Sequence, residues 1–326
     1  MSRSPRADGR SAAAALPRAA GLVAGLAAVT VGLTACGSSD TGSGSGSDPS
    51  GEADGRVQVV ASTDVWGSVA RAVGGDRVEV TSVIDGPNKD PHEYETTPTD
   101  ATAVSKAGLV LLNGGGYDDF MTKLVSASDS TAPVIDAVQV SGLQKPGEQE
   151  FNEHVWYSLP TVAKVAQNIA SQLGKTDPAG AAEYTANAQR FGSGLAGLTQ
   201  KAAAVGSTHP GAKVAVTEPV PGYLLESAKL ENVTPEAFSE AIEEGNDPPA
   251  AVLAQTLDLF TAQPPVSALV LNGQTRTPTT DQVEQAATTA GVPVVEVTET
   301  LPAGEGDYTT WMGAQIDALA GALDKR

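Results

Sequence analysis

Apolar runs alternate with amphipathic segments along most of the chain after residue 56. Seven runs have the length and the β-branched character of buried strands: VQVVAS (57–62), VEVTSVI (78–84), LVLLN (109–113), PVIDA (133–137), KVAVT (213–217), VSALVLN (266–272) and VPVVEVT (292–298). The segments between them repeat apolar residues at helical spacing, as in DVWGSVARAVGG (64–75). Strands that alternate with helices predict an α/β fold in which mainly parallel sheets are flanked by helices on both faces.

Helices are predicted at 64–75, 98–108, 117–128, 161–175, 178–205, 248–263 and 279–291, and from about Asp307 to the C-terminus. The segment that starts at Pro178 is the longest and contains no further proline. Because the folded part is large for one hydrophobic core, we predict two α/β lobes, at 57–177 and 207–326, joined by a long helix at 178–206. Ligands of such folds bind near the carboxyl ends of the strands, so we expect a site in the interlobe cleft.

Residues 1–35 have the composition of an export signal. Residues 1–20 contain four arginines and one acid, Asp8, and the apolar run GLVAGLAAVTVGLTAC (21–36) follows. This run is short for a membrane span and typical of a signal peptide. Its last four residues, LTAC, resemble the lipobox of bacterial lipoproteins, in which the cysteine is lipidated. We therefore expect a lipoprotein signal peptide at 1–35 and a lipid anchor at Cys36; an ordinary signal peptide with an incidental cysteine is the alternative.

The segment after Cys36 predicts a tether, and the overall charge limits the classes of partner and ligand. Residues 37–56 contain no large apolar side chain, which predicts a flexible tether over 36–56. The formal net charge of the chain is −19, and it becomes −22 when residues 1–35 are removed. Such a charge argues against nucleic acid as a partner and weakly favours cationic ligands. Cys36 is the only cysteine, so once it is lipidated no disulfide can form.

Four polar segments lie near the predicted strand ends or before the predicted helices: DPHEYE (90–95), NEHVWY (152–157), TEP (217–219) and NGQ (272–274). One loop histidine alone is more often a surface residue than a ligand, and one strand-end glutamate is often solvated. Here, however, two of the three histidines, His92 and His154, fall in the first lobe, and Glu218 falls at a strand end of the second. Histidine and carboxylate from both lobes would form a compact site for a divalent first-row metal.

These segments carry a family resemblance. The sequence resembles the metal-binding class of ABC-transporter solute-binding lipoproteins, which take up zinc or manganese. The resemblance lies in DPHEYETTPTD (90–100), NGGGYDDFM (113–121), NEHVWYSLPTVAKVAQNIA (152–170), KVAVTEPVPGYLLE (213–226) and GVPVVEVTETLP (291–302), and it covers nearly all of residues 57–326. It implies two lobes of parallel sheet and helices, joined by one long rigid helix, with the metal between them.

The resemblance also implies the metal ligands. His92 and His154 match the two histidines, and Glu218 matches the ligand from the second lobe. The family's aspartate, expected in the loop after 266–272, has no counterpart, because that loop reads NGQTRTP (272–278). We expect Gln274 to supply the fourth ligand; Asn272, Asp281 or a water molecule are the alternatives.

Acidic residues beside the two histidines are expected to support the site rather than to bind the metal. Metal-bound histidines usually donate their second ring N–H to a carboxylate or a carbonyl. Four acids are close enough in sequence for this role: Asp90, Glu93, Glu95 and Glu153. The missing aspartate removes one negative charge from the site, and this favours Zn²⁺ slightly over Mn²⁺ as the bound ion.

The predicted function is that of a monomeric receptor, lipid-anchored to the outer face of the cytoplasmic membrane, that captures Zn²⁺ or Mn²⁺ and delivers it to an ABC permease and, through it, to the ATPase subunit. The alternatives are a secreted metallohydrolase and a metal-dependent surface adhesin. No HExxH helix and no Gly-x-Ser-x-Gly elbow occurs in the sequence. We therefore expect a binding protein rather than an enzyme.

Overall fold

The protein contains two four-stranded parallel sheets. The computed structural model describes residues 55–87, 91–92, 94–145 and 151–325. The first sheet has the order β2-β1-β3-β4 and is built from β1 (Val57–Thr63), β2 (Val78–Ile84), β3 (Leu109–Leu112) and β4 (Val134–Asp136). The second has the order β6-β5-β7-β8 and is built from β5 (Lys213–Val216), β6 (Glu231–Asn232), β7 (Ala268–Asn272) and β8 (Val294–Val297). Every strand pair is parallel, as the alternating pattern predicted.

Helices flank both sheets. In the first lobe they are α1 (Asp64–Gly74), α2 (Pro98–Lys106), α3 (Asp119–Ala127), α4 (Ala137–Ser141) and α5 (Leu159–Thr176), followed by α6 (Ala181–Thr208). In the second lobe they are α7 (Gly222–Ser227), α8 (Glu236–Glu243), α9 (Ala250–Asp258), α10 (Pro278–Thr289) and α11 (Tyr308–Leu323). Short 3-10 turns lie at Gly75–Arg77, Val155–Tyr157 and Pro178–Gly180. The predicted class, two α/β lobes and one long helix, is confirmed.

Local sequence explains where these elements begin and end. In the central strands β3 and β7 every residue is buried, which is the pattern of a strand covered on both faces. Thr97 caps α2 through a reciprocal pair of hydrogen bonds with Asp100, and Thr277 caps α10 with Thr280 in the same way. Both caps precede a proline, whose fixed φ suits the first turn of a helix.

The long helix begins slightly later than predicted. Pro178–Gly180 forms a 3-10 turn, and α6 then continues to Thr208. Helix α6 packs against α5 and α1 of the first lobe and against α11 near the C-terminus. One buried apolar cluster therefore includes residues from both lobes. The predicted domain boundaries at 177 and 206 stay a prediction.

Four elements were absent from the sequence prediction: α4, α7, β6 and α8. All four are short, so few apolar positions mark them; in α8 only Phe238, Ser239 and Ile242 are buried.

Several predicted features lie outside the described residues: the signal peptide, Cys36, nearly all of the tether, Asp90 and Glu93. Among the helices that the structure describes, none combines the length and the apolar composition that crossing a membrane requires.

Candidate metal centre

The two histidines of the first lobe lie beside the same tyrosine. His92 is in the loop between β2 and α2, and His154 comes directly before the 3-10 turn at Val155–Tyr157. The ring of Tyr117 is 5.0 Å from the His92 ring and 6.0 Å from the His154 ring, measured between centroids. His92 is exposed, whereas His154 is only 1% exposed and packs against Trp156. The structure thus brings the two predicted histidine ligands to one place.

The neighbouring Asn152 determines which ring nitrogen of His154 carries the proton. The Asn152 Nδ2 donates to the carbonyl oxygen of Pro219 at 2.9 Å, and this bond orients the amide. The Asn152 Oδ1 therefore accepts, from the His154 backbone N–H at 3.0 Å and from the His154 Nδ1 at 2.9 Å. The ring proton is on Nδ1, and the Nε2 of a neutral imidazole then has a free lone pair. Asn152 thus fills the orienting role that was predicted for an acid.

In the second lobe, two carboxylates lie at strand ends. Glu218 follows β5 and Glu299 follows β8, and both are nearly fully buried, at 2% and 4% exposure. Asn272, the last residue of β7, lies between them and donates its Nδ2 to the Glu218 Oε2 at 2.6 Å and to the Glu299 Oε1 at 2.8 Å. Thr275 donates a further hydrogen bond to the Glu218 Oε1. Glu218 is therefore held where the sequence predicted it, and Glu299 lies beside it.

Sequence reasoning missed Glu299. It searched for the missing acid after β7, whereas the structure places an acid after the next strand, β8. The signal was present, because Glu299 follows the predicted strand VPVVEVT just as Glu218 follows KVAVT. Parallel strands end at the same edge of a sheet, so this spacing alone could have identified Glu299.

Gln274 makes a clasp between three loops. Its Oε1 accepts the backbone N–H groups of Glu299 at 2.6 Å and Thr300 at 2.9 Å. Its Nε2 donates to the Thr300 Oγ1 at 2.9 Å and to the carbonyl oxygen of Pro87, in the loop that leads to His92, at 3.2 Å. The amide oxygen expected to bind metal is thus occupied by backbone donors, which points to a positioning role for Gln274.

Asp64 links the same two site loops from the N-terminus of α1. It accepts the backbone N–H of Gly86 at 2.8 Å and the backbone N–H of Leu301 at 3.1 Å. Gly86 belongs to the loop that leads to His92, and Leu301 to the loop that contains Glu299. Burial raises the pKa of Asp64, and the two backbone donors counteract the rise. The loop that leads to His92 in the first lobe and the loop that contains Glu299 in the second are therefore linked through one buried carboxylate.

Two more acids reach the histidines. Glu153 precedes His154, and Glu243 is the last residue of α8 in the second lobe. Ligand atoms of His92, Glu153 and Glu243 all lie within 4.8 Å of one another. The Glu243 Oε1 is 3.3 Å from the His154 Nε2. Glu153 was predicted only as a supporting residue, and Glu243 was missed because its helix was not predicted.

The crowded carboxylates shift each other's proton affinity. Burial, with the charges of Glu153 and Glu218 next, raises the pKa of Glu243 to about 9. Burial and then the charge of Glu218 raise the pKa of Glu299 to about 7. Burial lowers the pKa of His154 to about 3, so its ring is neutral near pH 7. A cation would relieve the repulsion between these acids and would find a neutral imidazole ready to bind.

The remaining predicted site residues lie farther out. Asp281 is exposed on α10 and forms an ion pair with Arg276 at 3.1 Å, and Glu95 is exposed. The cleft itself has a volume of about 690 Å³. Its lining includes His92, Glu153, Glu243 and Gln274, together with the acidic outer residues Glu236, Glu240 and Glu244. The cleft thus presents imidazole nitrogen and carboxylate oxygen, the donor types that suit a divalent first-row metal.

Comparison with known proteins identifies the family of this chain. A family model described as "Zinc-uptake complex component A periplasmic" matches residues 59–322. This match covers most of the chain, and the chain therefore belongs to that family.

The sequence identity between this chain and individual relatives is low. The manganese-binding lipoprotein MntA of Bacillus subtilis is 32% identical over 176 residues, which are 52% of this chain and 54% of MntA. The chain thus spans about half the length of the curated relatives it matches. The protein FpvC of Pseudomonas aeruginosa, solved in complex with Mn²⁺, is 25% identical with a TM-score of 0.69, over 83% of this chain and 99% of FpvC. The periplasmic zinc-binding protein TroA of Treponema pallidum, 21% identical with a TM-score of 0.69 over 82% and 99% of the two chains, shares the fold.

Proposed function

We propose that this member of the zinc-uptake component A family is the extracytoplasmic substrate-binding protein of an ABC importer for a divalent transition metal. One observation carries the proposal: Glu243, whose Oε1 is 3.3 Å from the His154 Nε2, interacts electrostatically with Glu218 and Glu299. The two histidines of the first lobe and the two buried carboxylates of the second lobe therefore lie close together. A metal bound by all four would hold the lobes together, and its release would require them to separate or their loops to move.

The proposed ligands are His92, His154, Glu218 and Glu299. Glu299 takes the fourth position that we expected Gln274 to fill, because the Gln274 Oε1 accepts two backbone hydrogen bonds. The histidines would bind as neutral imidazoles, His154 through its Nε2, while the two glutamates supply the charge that balances a divalent ion. Asn272, Gln274 and Asp64 would hold the carboxylates and loops in place before the ion arrives.

Glu299 removes the reason for expecting the site to prefer Zn²⁺ over Mn²⁺. The slight preference for Zn²⁺ rested on an acid that was missing after β7, and Glu299 restores that acid at the end of β8. Carboxylate oxygen suits Mn²⁺ at least as well as Zn²⁺. MntA is named for manganese and TroA for zinc, so the relatives support both ions. We therefore propose a site that accepts either ion.

The proposed partners are an ABC permease and, through it, the ATPase subunit. We also propose that Cys36 is lipidated and anchors the protein to the outer face of the cytoplasmic membrane. The name of MntA, a lipoprotein, supports this placement. Neither a metallohydrolase nor an adhesin is favoured by a feature of the cleft, and MntA and FpvC are named as binding proteins and not as enzymes.

A metal titration of one matched pair of variants tests the ligand set. Glu299→Gln should weaken the binding of Mn²⁺ and Zn²⁺ by about 100-fold or more, because it removes a charged ligand, a larger loss than the 10–100-fold effect of an outer partner. Glu296→Gln removes the same charge from an exposed position of β8 and should change affinity by less than about threefold. Competition against a metal indicator measures both affinities. Equal effects of the two substitutions would contradict the assignment of Glu299.

A further inference from the structure

The contact between His154 and Glu243 receives no proton from the histidine. The His154 ring proton lies on Nδ1, because the oriented amide of Asn152 accepts it at 2.9 Å. The His154 Nε2 is therefore an acceptor, and it faces the Glu243 Oε1 at 3.3 Å. Glu243 Oε1 is buried and accepts no hydrogen bond from any residue that the structure describes. With Glu243 ionised, two lone pairs thus face each other, and the Glu243 Oε1 has almost no exposure to solvent.

Such a contact is repulsive unless a positive species lies between the two atoms. A proton on Glu243 is one solution, and a metal ion bound by both atoms is the other. Metal–nitrogen and metal–oxygen bonds of about 2.0–2.2 Å place neighbouring ligand atoms roughly 3 Å apart, which matches this distance. Glu243 also belongs to a cluster with His92 and Glu153, in which one ligand atom of each residue lies within 4.8 Å of the others.

We propose that Glu243 is itself a ligand of the captured metal, supplied by α8 of the second lobe, and that this extra carboxylate favours Mn²⁺ over Zn²⁺. The inference rests on the proposed function. Two histidines with Glu218 and Glu299 already complete the four-coordinate shell that Zn²⁺ prefers. A third carboxylate raises the coordination number and the oxygen content, and Mn²⁺ benefits from both.

The chain offers a matched control for this ligand. Glu244 is the next residue, lines the same cleft and is exposed, and it accepts a hydrogen bond from Asn246 at 3.2 Å. It has the same charge at nearly the same place, but it is not among the clustered ligand atoms of the cleft. Comparing Glu243→Ala with Glu244→Ala therefore separates a metal ligand from a general contribution of negative charge to the cleft.

The experiment measures the affinities of both ions for the wild type and the two variants by indicator competition. Glu243→Ala should weaken Mn²⁺ binding at least tenfold and Zn²⁺ binding at most about threefold, whereas Glu244→Ala should change both by the same small factor. Thermal unfolding of the metal-free variants checks that they fold. If Glu243→Ala weakens both ions equally, the proposed preference for Mn²⁺ is wrong, and if Glu244→Ala has the same effect as Glu243→Ala, the ligand assignment is wrong.

A second measurement needs no folded variant. X-ray absorption of the Mn²⁺-loaded wild type should give at least five ligands, of which two are imidazoles. A four-coordinate manganese centre would overturn the inference. A wild type that binds neither ion would instead refute the proposed function, so the two failures are distinguishable.

Discussion

Glu218 and Glu299 accept hydrogen bonds from one and the same donor, the Nδ2 of Asn272, at 2.6 Å and 2.8 Å. The two carboxylates come from different strands, and Asn272 ends the strand β7 that lies between them in the sheet. Two buried like charges repel each other, and the shared donor offsets part of that repulsion. The second lobe therefore holds a pair of acids in place that a divalent cation would neutralise.

Asn272→Ala should weaken metal binding without abolishing it. The substitution leaves all four proposed ligands in place but removes the donor that orients two of them. Loss of such an outer partner typically costs 10–100-fold in affinity, and we expect a loss in this range for both Mn²⁺ and Zn²⁺. Indicator competition measures it, and unchanged affinity would show that the two carboxylates need no common donor.

Gln274→Glu distinguishes a ligand from a clasp by the sign of its effect. A carboxylate binds a divalent ion better than an amide does, so the change should strengthen binding if residue 274 is a ligand. In the structure Gln274 instead donates to Pro87 and accepts from Glu299 and Thr300. Glutamate would lose the donor and add a negative charge beside Glu299, so we expect affinity to fall about tenfold or more. Calorimetry of the two proteins gives the sign directly.

The stability of the metal-free protein should fall as pH rises from 6.5 to 9. Carboxyl groups whose folded pKa is raised contribute stability below the unfolded value near 4.5, and they lose it as pH rises through the folded value, about 7 for Glu299 and about 9 for Glu243. His154, with its pKa lowered to about 3, contributes its full share already above pH 6.5.

Urea unfolding in the presence of a chelator at pH 6.5, 7.5 and 9 measures this decline. Since one unit of pKa difference corresponds to about 1.4 kcal/mol, we expect a decrease on the order of a few kcal/mol. Saturating metal should remove most of the decline, because the cation replaces the bound protons. Metal-free stability that is flat or rises over this window would contradict the raised pKa values.

Metal affinity should rise with pH over the same range. Capture at neutral pH must displace protons from Glu299 and Glu243, whose pKa values are raised to about 7 and about 9. Protonation of His154 contributes little above pH 5, because burial lowers its pKa to about 3. Calorimetry in buffers of different ionisation enthalpy should therefore detect proton release at pH 7. No release at pH 7 would indicate that both acids are already ionised in the metal-free cleft.

Most of the fold could be predicted from the sequence. The seven predicted strands all form, because short runs of Val, Ile and Leu between helical segments have few other ways to be buried. His92, His154 and Glu218 could be predicted as a group from the resemblance of their loops to the family's motifs, and Glu218 also from its place at a strand end. Glu299 satisfied the same rule and could have been found in the same way.

Other parts of the site depend on three-dimensional contacts that the sequence does not encode locally. Glu243 reaches the histidines because α8 packs against its lobe through buried residues, among them Phe238 and Ile242. These residues are too few to reveal the helix in the sequence. Gln274 has a side-chain oxygen that could bind a metal. Only the structure shows that this oxygen accepts the backbone N–H groups of Glu299 and Thr300 and so links the loops. Asn152 could be assigned a role only once Pro219 was seen to orient its amide.

The most direct test of the account compares two histidine variants in a metal titration. His154 is buried and lies 3.3 Å from Glu243, which lines the cleft, whereas His209 directly follows α6 and its Nε2 lies 3.0 Å from the Asp324 Oδ1. The account predicts that the wild type and His209→Ala each bind one equivalent of Mn²⁺ or Zn²⁺ with the same affinity, and that His154→Ala binds at least about 100-fold more weakly. Equal affinities for all three proteins would contradict a metal site in this cleft.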